Sequence, residues 1–117
     1  MIRYGMLLVC LLLLTGCGSN ADTDNQSRLD TATQINNVND RNTALAAVAI
    51  SAAKAGEGDI VKKAVSAITV ANKKMRTARD SAEALAAAGQ GEAAVEVANM
   101  ITQATMRDDT LKKIAQE

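Results

Sequence analysis

The chain has no histidine, no proline, no tryptophan and no phenylalanine, and its one aromatic residue is Tyr4. Its two cysteines, Cys10 and Cys17, both lie near the start, so everything beyond Cys17 is free of thiols and aromatic rings. Each absence excludes a class of chemistry. Without imidazole the commonest general acid–base group is missing. Without imidazole or thiolate, the usual zinc ligands are missing too. Binding of single-stranded nucleic acid relies on aromatic faces for base stacking. Lysine and arginine, 13 together, are balanced by 13 acidic residues, so there is no overall positive charge to hold a polyphosphate backbone. The composition argues against an enzyme, a metal or cofactor site, and a nucleic-acid partner.

What is present begins with the first seventeen residues. Arg3 is the only charge before Asp22. Met6 to Leu14 is apolar throughout, a length that suits a signal core and falls short of the roughly 20 residues that span a bilayer. Small residues Thr15 and Gly16 then precede Cys17. The run Leu14-Thr15-Gly16-Cys17 resembles the lipobox of bacterial lipoproteins. That resemblance implies cleavage after Gly16, a diacylglyceryl thioether on the Cys17 sulfur, and acylation of the new amine by a chain such as palmitate. Gly18 stands where an aspartate often retains such proteins at an inner membrane. In a two-membrane cell, the resemblance therefore implies the outer membrane, facing the periplasm. Each buried CH₂ contributes about 0.8 kcal/mol, so two or more chains anchor stably without a membrane-binding surface on the protein. The alternative is an ordinary secretory signal with an incidental cysteine.

The expected organisation is a signal peptide over 1–16, a lipidated cysteine with a flexible polar tether over 17–39, and an alanine-rich helical domain over 40–117. Asn, Asp, Thr and Ser dominate the tether, with Leu29, Ile35 and Val38 as a weak helix signal after Ser27. Removing the signal takes Arg3 away and leaves a net charge near −1. The lipid would consume the only remaining thiol, leaving no disulfide.

From Asp40, the expected N-cap, apolar residues recur at helical spacing: Leu45, Val48, Ala49 and Ala52. Gly56 and Gly58 end this helix. Asp59 opens the next, with Val61, Ala64, Val65 and Ile68 on one face. Gly56-Glu57-Gly58-Asp59 recurs as Gly89-Gln90-Gly91-Glu92, and Ile68-Thr69 as Ile101-Thr102, both at a spacing of 33. Arg41, Leu45, Val48 and Ala49 match Arg107, Leu111, Ile114 and Ala115 two periods on. This pattern resembles tetratricopeptide-like repeats, which implies antiparallel helix–turn–helix units. The family's aromatic positions are aliphatic or alanine here, and its terminal proline is absent. A second all-α arrangement stays open. No Gly or Pro occurs between Asp59 and Ala88, and Val61, Ala64, Ile68, Ala71, Met75, Ala78, Ala82 and Leu85 form a heptad-like seam. One long helix there would give a three-helix antiparallel bundle. The repeat favours a break near Asn72 to Arg76. Either way the core is thin, and self-association or a partner helix would add burial.

Three tempting sites carry little. Ser51-Ala52-Ala53-Lys54 has the Ser-x-x-Lys spacing of penicillin-binding enzymes, but the companion motifs are missing. Asp108 and Asp109 point about 100° apart on a helix and read as an N-terminal cap. Met75, Met100 and Met106 read as core filling. The basic stretch is the candidate functional surface. Lys62, Lys63, Lys73, Lys74, Arg76 and Arg79 lie within Ile60 to Arg79, which contains no acid. On a continuous helix the first five share an arc opposite the apolar seam. A solvated face is the plainer reading; an anionic partner is the functional one. The expectation is a lipid-anchored envelope module that binds a protein partner or acts as a scaffold. The alternative is a module that docks on anionic lipid, lipopolysaccharide or cell-wall polymer.

Overall fold

A computed structural model describes residues 24–116. They form six helices and, among the described residues, no strand: α1 (24–33), α2 (Val38–Lys54), α3 (Gly58–Ala67), α4 (Ala71–Ala87), α5 (Gly91–Ala98) and α6 (Ala104–Ala115). The chain is all-α. α2, α4 and α6 begin at Val38, Ala71 and Ala104, a constant 33 residues apart, and α3 and α5 begin 33 apart at Gly58 and Gly91. Each short helix packs most extensively on the long helix before it, and α4 packs between α2 and α6.

Two glycine turns join long helix to short. Gly56 and Gly89 adopt positive φ, 79° and 84°, where a side chain would be strained. Gly56 N–H donates to the Ala53 carbonyl at 3.0 Å, and Glu57 N–H to the Ala52 carbonyl at 2.8 Å. Gly89 and Gln90 repeat this on Ala86 and Leu85, at 3.0 and 2.8 Å. The pattern closes carbonyls that a helix end leaves open.

The return from short helix to long has no glycine. Ile68 and Val70 are extended, with φ/ψ of −72°/128° and −86°/117°, and three β-branched residues in succession disfavour helix. Residues 59–88 therefore form two helices, not one. The break falls at Ile68–Val70, ahead of the Asn72–Arg76 region that the sequence suggested. The fully buried Asn42 secures it. Its Oδ1 accepts Thr69 N–H at 3.2 Å, and its Nδ2 donates to Thr69 Oγ1 at 3.1 Å. One period on, Thr102 Oγ1 donates to Met75 Sδ at 3.4 Å, the same pair of positions in softer chemistry.

Three other expectations are corrected. The polar stretch read as tether is helical from residue 24 to 33, with Leu29 and Ala32 buried in the core. Arg28 Nη1 holds it to Ser51 Oγ at 3.0 Å, and Asn25 Nδ2 donates to Glu57 Oε1. The helical body thus begins before Asp40. Asn37, not Asp40, caps α2: its Oδ1 accepts Asp40 N–H at 3.1 Å. Asp108 and Asp109 lie inside α6, because the return turn at Ile101–Gln103 starts that helix at Ala104.

The core is built from Leu45, Val61, Val65, Ile68, Leu85, Val97 and Ile101, each essentially inaccessible, interleaved with alanines such as Ala49, Ala52, Ala78, Ala82 and Ala94. Alanine lets helix axes approach closely but buries little apolar area per residue. Met75, Met100 and Met106 pack half-buried against this core, as their spacing suggested.

Candidate functional site

Cys17 and Gly16 lie outside the described residues. Among the described residues, no helix is long and apolar enough to cross a membrane.

The break at Ile68–Val70 divides the basic stretch. Lys62 and Lys63 lie on α3; Lys73, Lys74, Arg76 and Arg79 lie on α4. None is buried, and Lys63 and Arg76 are exposed. Two of the six are neutralised locally. Lys62 Nζ sits 3.0 Å from Glu96 Oε1 and 3.7 Å from Asp59 Oδ1, tying α3 to α5. The Glu96 hydrogen bond raises the Lys62 pKa above its ordinary value; desolvation opposes it, and the Glu96 and Asp59 charges add to the rise. Arg79 Nε lies 2.9 Å from Asp80 Oδ1. Arg79 also faces a different depression, shared with Glu83 and Asp109 at the α4–α6 contact. Lys63, Lys73, Lys74 and Arg76 form no salt bridge among the described residues. Lys73 and Lys74 occupy the first turn of α4, which carries no acid. Cations there oppose the helix dipole, at a cost of about 0.3–1 kcal/mol each when exposed, and concentrate positive potential at that end.

The Ser51–Lys54 spacing produces no nucleophile–base pair. Ser51 Oγ donates to Asn25 Oδ1 at 3.1 Å and accepts from Arg28 Nη1, while Lys54 is exposed. No group of three or more carboxylate, thiol or imidazole ligands converges among the described residues. A cleft of about 640 Å³ lies between the two glycine turns and is lined by Glu57, Asp59, Glu92 and Glu96 together with Lys62 and Lys63. Mixed charge and the Lys62–Glu96 ion pair make it a polar seam.

A fourth feature was not legible in the sequence, because it depends on α1. An apolar groove of about 350 Å³ runs between α1 and α2, over Thr31, Ala32, Ile35, Ala44 and Val48. Ile35 stands 33 residues before Ile68 and 66 before Ile101, and this spacing was the available signal. No family model matches the chain, and no curated protein or solved structure matches it.

Proposed function

We infer that this protein is a lipid-anchored scaffold of a bacterial cell envelope, tethered through Cys17 and presenting a small helical-repeat body to a protein partner. The observation that carries the binding role is the α1–α2 groove: an apolar depression of about 350 Å³ at one end of a stack whose other described interfaces are filled by helices. The lipobox resemblance at Leu14-Thr15-Gly16-Cys17 supports the anchor and the placement at the outer membrane, facing the periplasm.

Intact mass tests the anchor. Envelope-extracted wild-type protein is expected to begin at Cys17 and carry the mass of a diacylglyceryl group and an amide-linked acyl chain. Cys17→Ala is expected to accumulate as an unmodified precursor. A lipid-free wild-type mass, or an identical product from both, defeats the anchor. Affinity capture from detergent-solubilised envelope tests the binding role, with a stoichiometric protein partner as the expected result.

One observation favours a second reading, docking on an anionic envelope component. Lys63, Lys73, Lys74 and Arg76 form no salt bridge among the described residues, and two of them sit at an electrostatically unfavourable helix start. Anionic headgroups attract such residues by about 1 kcal/mol each. Changing these four to Glu is the cleaner test, since Lys62→Glu would also break the α3–α5 ion pair. The parent protein is expected to bind phosphatidylglycerol vesicles weakly and lose them at high salt. The reversed protein should not bind, with helicity unchanged. Equal binding by both proteins rejects the basic surface.

A further inference from the structure

Among the described residues the stack has two open ends, and they are complementary. Long helix α2 packs on α3 and α4, on which Val61, Ala64, Thr77 and Ser81 are buried, as is Ile68 in the turn between them. Long helix α4 repeats this packing on α5 and α6, where Ala94, Val97 and Thr110 are buried, with Ile101 buried in the turn between them. One period earlier the same positions are Arg28, Thr31, Ile35, Ala44 and Val48, and they line the α1–α2 groove. The groove is therefore the seat of a long helix that, among the described residues, is unfilled. At the far end, α6 has the converse defect. Leu45 and Ala78 are fully buried, but their equivalent Leu111 is only half-buried; Ala49 and Ala82 are fully buried, but Ala115 is exposed.

We propose that the groove is filled by α6 of a second copy of this chain, so that copies add head to tail and continue the 33-residue repeat across the junction. This rests on the reading of the chain as a binding module and is independent of the lipid. The junction would reproduce an interface already built twice within the chain. Its polar contact also matches. Within the chain, position 42 meets position 69, and position 75 meets position 102. The next pair in the series is Asp108 with Asn36 of the following copy. Asp108 offers two acceptor oxygens and is exposed; Asn36, also exposed, offers a backbone N–H and a side-chain amide donor. An interface of this kind is heterologous and open, so it generates chains of copies instead of a closed dimer. Each junction is small, and copies confined to one surface would meet at a high effective concentration.

Disulfide trapping in the full-length protein tests the junction. Asn36→Cys and Asp108→Cys are made separately and together, with the parent chain as control for Cys10 and Cys17. Met75→Cys with Thr102→Cys calibrates closure at the equivalent intrachain contact. The mixed single variants are expected to give a dimer several-fold above either one alone, and the double variant a ladder of multiples. A dimer formed equally well by one single variant alone overturns the head-to-tail geometry. So does a monomer-only result alongside a closed calibration pair, whether the groove stays open or the chain's own residues 1–23 fill it. Light scattering of the full chain in detergent gives an independent reading: a mass that rises with concentration, and no rise for Asp108→Arg. A concentration-independent mass for the parent chain also overturns the proposal. Envelope capture of another protein with no ladder would reject this junction and leave the binding role standing.

Discussion

Leu45→Ala is expected to lower the unfolding free energy by about 2–5 kcal/mol. Leu45 is fully buried on α2, in a core built largely of alanines and short β-branched residues. Such neighbours cannot swing into the space a lost isobutyl group leaves, so the cavity persists. A small domain has only about 5–15 kcal/mol in all. For a domain of this size, each kcal/mol lowers the melting temperature by about 4–8 °C. Thermal unfolding followed by circular dichroism measures the change. Ile101→Ala, fully buried in the α5–α6 turn, should behave similarly. Unaltered melting in both variants would refute the core assignment.

The second large effect compares two glycines at one repeat position. A Cβ built on Gly58 would stand 2.7 Å from the Ala93 Cβ, while one on Gly91 would meet nothing within 4 Å. Carbon atoms pack best at about 3.5–4.0 Å. Gly58→Ala therefore has to push α3 away from α5, at a cost of about 1–3 kcal/mol, typical of overpacking. Gly91→Ala meets no obstacle. It removes freedom from the unfolded chain, which is expected to stabilise by about 0.4–1 kcal/mol. Chemical denaturation of the two variants should give shifts of opposite sign. Shifts of the same sign would mean that the α3–α5 approach is looser than described.

The features written locally in the sequence were the legible ones. Gly56 and Gly89 announce their turns because a left-handed residue at a helix end is a short-range requirement. The 33-residue spacing followed from them. The break at Ile68–Val70 was misplaced because no glycine or proline marks it; it depends on Asn42, 27 residues away in sequence. α1 was only weakly signalled, by Leu29 after Ser27, for the same kind of reason. Its polar sequence offers only Leu29 and Ala32 to the core, and bonds to Ser51 and Glu57 fasten it from afar. The basic surface was foreseen as one arc because the arc assumed a continuous helix. Its division between α3 and α4, and the pairing of Lys62 with Glu96, depend on which helices become neighbours.

The alternation of long and short helices also determines how the molecule comes apart. In a stack, each element is held by its immediate neighbours, so stability is a chain of local couplings. The elements between α2 and α5 have neighbours on both sides; α6 has them on one, and Thr110 is its only fully enclosed residue. α6 is therefore expected to fray before the fully buried Leu45–Leu85 region opens. A copy added at the end would turn the frayed helix into an interior one, so growth of the array and folding of its last helix would be the same event.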